Sequence, residues 1–369
     1  MRSGKFGNNL FQEKYNFWKN KKVIITGCTG FKGAWLSIIL KRYGAKITGV
    51  ALPPKYKNDI FNKANLKSKI NFYNCDINNS KKINFIFRTT QPDFIFHFAA
   101  QSLVITSYEK TEQTYLTNIV GSSNIIEACL KLKKKNNLII TTTDKVYKNK
   151  KNVKKFVETD ELGGNDPYSA SKASLEVLCK YYLFLSKKHK YFSLAIARAG
   201  NVIGGGDWSL NRLFPDIFIN INSNTKVIIR NPNSTRPWQH VLEPLYGYLN
   251  LAELSFKNKK FCSAYNFGPT SNKSASVISI IKRVKKKFKN LKIEIKKGKY
   301  YESRTLILNS NKAKKELLLK SIWNLGYSVK KTIDWYYNFF KKSSAEKLCI
   351  DDIKNYEKDY DNLNFYKKL

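Results

Sequence analysis

Apolar residues in this chain come in short unbroken runs: Lys22-Val-Ile-Ile-Thr-Gly27, Lys46–Leu52, Ile70–Tyr73, Asp93–Ala100, Asn137–Ile140 and Phe192–Arg198. Runs of this length, bounded by turn residues and lacking polar alternation, read as strands covered on both faces. Between them lie longer stretches with helical spacing. These are Ala34-Trp-Leu-Ser-Ile-Ile-Leu40, a segment from about Lys81, Thr114–Val120, and an Ala- and Leu-rich stretch from about Ser169. Strands alternating with helices predict an α/β chain built on a doubly wound parallel sheet. From about residue 202 the runs shorten and are broken by Pro, Asn and Gly, with aromatic residues and isolated arginines. That change predicts a smaller C-terminal lobe for substrate, closed by a helix-like stretch through Trp335-Tyr-Tyr337. The expected boundaries are a polar leader at 1–20, the sheet domain at 21–201 with later segments returning to it, the lobe at 202–342, and a peripheral charged tail at 343–369.

Charge alters this picture little. The 369 residues carry a formal net charge of +40, which raises the question of a polyanionic partner. The excess is mostly lysine, scattered through a chain also rich in Asn, Ile, Phe and Tyr. A solvated surface is expected, and no nucleic acid. The six cysteines have no paired spacing and the three histidines no metal-ligand spacing, so reduced thiols and no metal are expected. No apolar segment approaches the length of a membrane span. The expected location is cytoplasmic, with no membrane partner.

Candidate chemistry gathers at strand ends. The first strand runs into Gly27-Cys-Thr-Gly30-Phe-Lys-Gly33 and then a helix. A strand, glycine turn and helix in that order form a Rossmann dinucleotide cradle, with the pyrophosphate at the helix N-terminus. Gly27, Thr29, Gly30, Phe31, Lys32 and Gly33 are its cofactor-binding candidates. The second strand ends in Leu52-Pro-Pro54, without the acidic residue that usually holds the adenosine ribose. Lys55 and Lys57 could tolerate a 2′-phosphate there. Asp76-Ile77 follows the third strand, and Asp76 is read either as an adenine contact or as a helix N-cap. Ala99, Ala100 and Gln101 end the fourth strand, with small residues that let a cofactor lie close. Asn118 is a polar residue on an otherwise apolar helix.

The fifth strand leads into Thr143-Asp144-Lys145, and Tyr168-Ser-Ala-Ser-Lys172 follows. Tyr and Lys four apart share a helix face. A phenol beside an ammonium has its ionised form favoured, so it could accept a proton near neutral pH.

These motifs resemble those of the extended short-chain dehydrogenase/reductases. The residues that carry the likeness are GxxGxxG, the Asp-Ile after strand three, YxxxK and the Thr-Asp pair before it. Thr29–Leu36, His97–Gln101, Thr143–Lys145, Asp166-Pro-Tyr-Ser169, Arg198–Trp208 and Arg236-Pro-Trp-Gln-His-Val-Leu-Glu-Pro244 further resemble the CDP-glucose branch of the nucleotide-sugar 4,6-dehydratases, from about Trp18 to Phe340. Lys145 stands where other branches carry Glu, and it is the sharpest mark of the branch.

The resemblance implies NAD as cofactor and CDP-glucose as substrate, in deoxysugar and surface-polysaccharide precursor synthesis. It also implies a homodimer or homotetramer through the helices that follow Thr114 and Tyr168. It gives Tyr168 the proton of the sugar 4-hydroxyl, Lys172 the nicotinamide ribose and the lowering of the tyrosine pKa, and Thr143 a bond to the 4-oxygen. Asp144 would protonate the departing 6-hydroxyl. Lys145 would take the C5 proton, provided that burial or neighbouring cations lower its pKa. Asn201, Arg212 and Arg236 are the expected substrate contacts, with a structural ion pair as the alternative for each arginine. His240 is expected as a packed polar residue. A 4-epimerase of the same superfamily is the rival activity, but it has no use for an acid at the 6-hydroxyl. A non-catalytic basic protein binding nucleic acid is the remote one.

Overall fold

The computed structural model describes residues 10–148, 155–269, 274–296 and 306–365. Seven strands form one sheet: β1 (Lys22–Thr26), β2 (Lys46–Ala51), β3 (Asn71–Asn74), β4 (Phe94–His97), β5 (Asn136–Thr143), β6 (Phe192–Ala199) and β7 (Ala264–Phe267). Their order across the sheet is β7-β6-β5-β4-β1-β2-β3, and each neighbouring pair is parallel. The chain winds outward from β1 to β3, then returns to lay β4 on the other side of β1. A crevice opens outside the strands' carboxyl ends at such a reversal. All eight residues of β5 and of β6 are buried, because helices cover both faces. That burial is why these strands read as unbroken apolar runs.

Helix α1 (Leu10–Trp18) lies within the span expected as a polar leader. Trp18 is fully buried, sits 4.6 Å from the Phe94 ring and donates to Glu253 at 2.8 Å. Lys14 pairs with the same carboxylate at 3.1 Å. The leader reading therefore fails from residue 10 onward, and residues 1–9 lie outside the described part. Phe11, Tyr15 and Trp18 recur on one helix face, but charged residues between them hide the pattern.

Helix α2 (Phe31–Arg42) follows the glycine turn. Gly27 has φ +70°, and a Cβ there would come within 2.7 Å of the Ala99 backbone; one at Gly33 would meet the Gly27 carbonyl at 2.3 Å. Both positions thus require glycine, the first for conformation and contact, the second for packing. Helix α3 (Ser80–Thr90) precedes β4, and α4 (Ser122–Leu130) precedes β5. The latter continues a helical stretch, Thr111–Tyr115, through a π-helical turn at Leu116–Gly121. Helix α5 (Pro167–Lys188) is capped by Asp166, which accepts from the Ser169 amide at 2.9 Å.

The region from residue 202 supplies a smaller layer, including the parallel pair Lys226–Ile229 and Lys292–Ile295. Helix α6 (Leu242–Lys257) and β7 return from it to the sheet. Helix α7 (Leu325–Phe340) stacks Tyr336 on Phe218, with ring centroids 3.9 Å apart. Helix α8 (Ala345–Phe365) occupies most of the expected peripheral tail, yet Cys349, Ile353, Tyr356 and Tyr360 are buried. Glu357 joins it to α2, accepting from Arg42 at 2.9 Å and from Tyr43 at 2.7 Å. The tail is thus part of the core, and residues 366–369 lie outside the described part. All six cysteines are buried free thiols. Among the described residues no helix is long and apolar enough to cross a membrane.

Candidate active site

One cavity of about 1190 Å³ opens at the carboxyl ends of β1, β4, β5 and β6. Gly27, Thr29, Gly30, Phe31, Lys32, Gly33, Asp76, Ile77, Ala99 and Ala100 line one part of it. Thr143, Asp144, Lys145, Tyr168 and Lys172 occupy its floor, and Asn201, Arg212 and Arg236 reach it from the later segments. The fold thus brings eighteen of the twenty candidate residues to one cavity.

Gln101 and Asn118 are the other two, and neither lines the cavity. Asn118 is fully buried; its side chain accepts from the Gln101 amide at 2.8 Å and donates to the Gln101 carbonyl at 3.0 Å and to Ser171 Oγ at 2.9 Å. The Gln101 side chain bonds Leu103 through both its oxygen and its nitrogen, and donates to Thr114 Oγ1 at 3.0 Å. A buried amide must satisfy its donors and acceptors, and these two do so within the protein. In the structure their side chains tie the end of β4 to α5 across the π-helical turn. Asp76 is exposed at the cavity wall and accepts from the Asn78 amide at 2.9 Å. The N-cap of α3 is Asn79, so the capping alternative for Asp76 is overturned.

The cradle suits a dinucleotide. No side chain caps the first turn of α2, which leaves its amide donors to the cavity. At the end of β2 the Leu52 carbonyl accepts from Thr29 Oγ1 at 3.0 Å. Leu52 itself is 56% exposed, and neither Lys55 nor Lys57 forms part of the wall.

On the floor, Asp144 Oδ1 accepts from Thr143 Oγ1 at 2.9 Å and from Lys145 Nζ at 3.3 Å. Asp144 is 1% exposed, and among the described residues its Oδ2 has no partner. An orphaned buried carboxylate oxygen is costly, and this one faces Gly200 at the cavity wall. Burial drives the Tyr168 phenol above its usual pKa, more than Lys145, a bond from Thr143, and Arg212 draw it down. Lys172 is not among these lowering groups; its Nζ donates to the Thr141 carbonyl at 3.0 Å. Its own pKa falls to about 8, through burial that Glu176 opposes.

Lys145 departs from expectation in the same way. Burial pulls it down, but Asp144 and Tyr168 together outweigh burial and hold it above the ordinary lysine value. The condition set for a basic amine is not met in the free protein, where Lys145 is an ammonium. Lys32, inside the glycine loop, is lowered to about 7 by burial, then by Arg212 and Lys172.

Arg212 pairs with Asp207 at 3.1 Å and approaches Ser102 Oγ at 3.3 Å, while still lining the cavity. The ion pair therefore leaves the guanidinium on the cavity lining. Asp207 lies inside the quoted motif Arg198–Trp208, but nothing in its spacing marked it as the partner. His240 is fully buried and packs edge-on to Trp35 and Trp323.

The chain matches the GDP-mannose 4,6-dehydratase family over residues 24–333. It is similar to CDP-glucose 4,6-dehydratase of Salmonella typhimurium, 36% identical over 329 residues, covering 87% of this chain and 92% of the relative. It is also similar to dTDP-D-glucose 4,6-dehydratase of Bos taurus, 25% identical over 89% of this chain and 92% of the relative. Among solved structures, UDP-glucuronic acid 4-epimerase from Bacillus cereus, in complex with UDP-glucuronic acid and NAD, superposes with TM-score 0.73. That structure is 23% identical over 86% of this chain and 99% of the other. At that identity the likeness carries the fold alone.

Proposed function

From the premise that this chain belongs to the GDP-mannose 4,6-dehydratase family and is a nucleotide-sugar 4,6-dehydratase, we propose that it converts CDP-glucose to CDP-4-dehydro-6-deoxyglucose and water, using NAD. The observation that carries the reading is the Thr143-Asp144-Lys145 cluster, with its partnerless Asp144 oxygen, beside Tyr168 in one cavity. A 4-epimerase would have no task for that oxygen. CDP rests on the similarity to the Salmonella relative and on Lys145 in the branch-marking position. NAD rather than NADP is favoured because no basic side chain borders the cavity beside the end of β2.

The glycine turn and Lys172 would hold NAD, which would supply a hydride acceptor for sugar C4 and a hydride donor for C6. Tyr168 takes the 4-hydroxyl proton in its ionised form, which Lys145 and the positive nicotinamide of a bound cofactor would favour against burial, with Thr143 bonded to the same oxygen. The C4 ketone then acidifies the C5 proton, and C5–H and C6–O break to release water. The resting charge of Lys145 gives the order of proton movement. Lys145 passes a proton to Asp144, and Asp144 then delivers that proton to the departing 6-hydroxyl. The amine is then neutral and takes the proton from C5; after hydride reaches C6, Lys145 gives a solvent-exchanged proton back to C5, and the proton held by Tyr168 restores the amine, so every group ends as it began. Arg212 and Arg236 face the nucleotide diphosphate, and Asn201 its ribose or diphosphate.

Lys145 is also the foremost cation lowering Tyr168. Replacing it with Met should raise the phenol's pKa and move the acid limb of C4 oxidation to higher pH. Stopped-flow reduction of NAD across pH checks this, and an unmoved limb would remove Lys145 from the first step. The nucleotide is tested by offering CDP-, dTDP-, UDP- and GDP-glucose separately. The CDP sugar should have the highest kcat/KM, and preference for another base would overturn that part of the reading.

We further propose a homodimer, the smaller of the expected assemblies. Tyr115, Leu116 and Val120 on the helix before α4, and Val177, Tyr181 and Phe184 on α5, are exposed large apolar residues. Scattered apolar exposure is ordinary, whereas a contiguous patch calls for a partner. Sedimentation should find a dimer, and Tyr181→Lys with Phe184→Lys should shift it to monomer. A parent protein that sediments as a monomer would refute the interface.

A further inference from the structure

Behind the reacting groups lies a buried ion pair that none of these roles uses. Glu176 is on α5, one turn beyond Lys172 and two beyond Tyr168. Arg198 is on β6, where Thr142 of β5 is its register partner. The two are 1% and 4% exposed. Arg198 Nε donates to both Glu176 oxygens, at 2.9 and 2.8 Å, and Nη2 donates to Oε2. Thr142 Oγ1 donates to Oε1 at 2.5 Å. On its other side, Arg198 Nη1 donates to the Tyr147 phenol oxygen at 2.7 Å and to the Glu158 carbonyl at 3.0 Å. Tyr147 donates in turn to Asn266 Oδ1 on β7 at 2.7 Å. One carboxylate and one guanidinium thereby join α5, β5, β6, β7 and the turn after β5.

The positions of these contacts give them a function. Thr142 and Tyr147 bracket Thr143, Asp144 and Lys145, so the pair holds the reacting turn from both ends. Glu176 lies on the helix that carries Tyr168 and Lys172. The two halves of the site come from different elements, and their separation must be kept to a fraction of an ångström for the chemistry to proceed. A buried ion pair is a poor source of stability, since apolar residues of equal volume often do as well. We propose that Glu176 and Arg198 are a positioning pair: they fix the helix bearing Tyr168 and Lys172 against the turn bearing Thr143, Asp144 and Lys145.

The inference rests on the dehydratase roles assigned above, and its test separates the two. Thr142→Val, Glu176→Gln and Arg198→Lys would be made in the full chain and saturated with NAD. Single-turnover C4 oxidation of CDP-glucose gives a first-order rate constant, which does not depend on the fraction of protein that is folded. Thr142→Val, the mildest change, should keep the parental Tm within a few degrees and KM within about twofold while the rate constant falls about tenfold. The charge variants should fall further. Rate constants equal to the parent's, with only amplitude or Tm reduced, would overturn the proposal and leave the pair a fold contact. If the parent itself leaves CDP-glucose unoxidised, the substrate reading fails. The same comparison is then made with whichever nucleotide glucose the parent does oxidise, and the same two outcomes decide the pair.

Discussion

Replacing Asp144 with Asn should stop the reaction halfway. Tyr168, Thr143 and Lys172 remain, so C4 is still oxidised. The amide has nearly the shape of the carboxylate, but it cannot carry a proton from Lys145 to the 6-hydroxyl. Loss of a positioned acid costs about 10²- to 10⁴-fold in the step it serves, so elimination rather than oxidation becomes limiting. Enzyme-bound reduced nicotinamide should then accumulate on mixing with substrate and decay slowly, whereas in the parent the same signal should rise and decay within a single turnover. At 1% exposure Asp144 is a positioned group that bulk solvent replaces poorly, which makes the effect large. Full turnover in the variant with no accumulated signal would exclude Asp144 from the elimination.

Tyr168→Phe should act one step earlier, with an effect at least as large. Without the phenol the group assigned to take the 4-hydroxyl proton is gone, and no reduced nicotinamide should form. The loss in kcat should again be about 10²- to 10⁴-fold. NAD affinity should stay near the parent's, because Lys172 and the glycine turn are untouched. The two variants are thus told apart by one observation: Asp144→Asn accumulates reduced cofactor and Tyr168→Phe makes none. A Phe variant that still reduces NAD at the parental rate would assign the base elsewhere.

The sheet was legible because its central strands are buried on both faces and its glycines are required by contact. The Gly27 and Gly33 positions admit no Cβ, so the motif and the geometry are one constraint. The cluster around Tyr168 was legible for a similar reason, since each member lies at a strand end or on a single helix face. What escaped depends on partners distant in the chain. Trp18 is core because Phe94 and Glu253 meet it, and Tyr356 because Tyr246 stacks on it at 4.9 Å. Neither partner is visible from the polar surroundings of residues 10–18 or 345–365. Asn118 and Gln101 show the same limit at the site: their type and place suggested a ligand contact, whereas the Asn118 side chain bonds the Gln101 backbone and the Gln101 side chain bonds Leu103 and Thr114. The charge of Lys145 was beyond reach for an electrostatic reason. Burial and two acidic neighbours act on it in opposite directions, and only their geometry decides the sign.

The central claim is that this cavity removes water across C5 and C6 of CDP-glucose with internal return of the hydride. The most direct measurement is proton NMR of the protein with CDP-glucose and NAD in deuterated water. A 4-keto sugar nucleotide should appear with a methyl group at C6 and one solvent deuterium at C5. Formation of CDP-galactose with no deuterium at C5, or of a 4-keto sugar that keeps its 6-hydroxyl, would contradict the account.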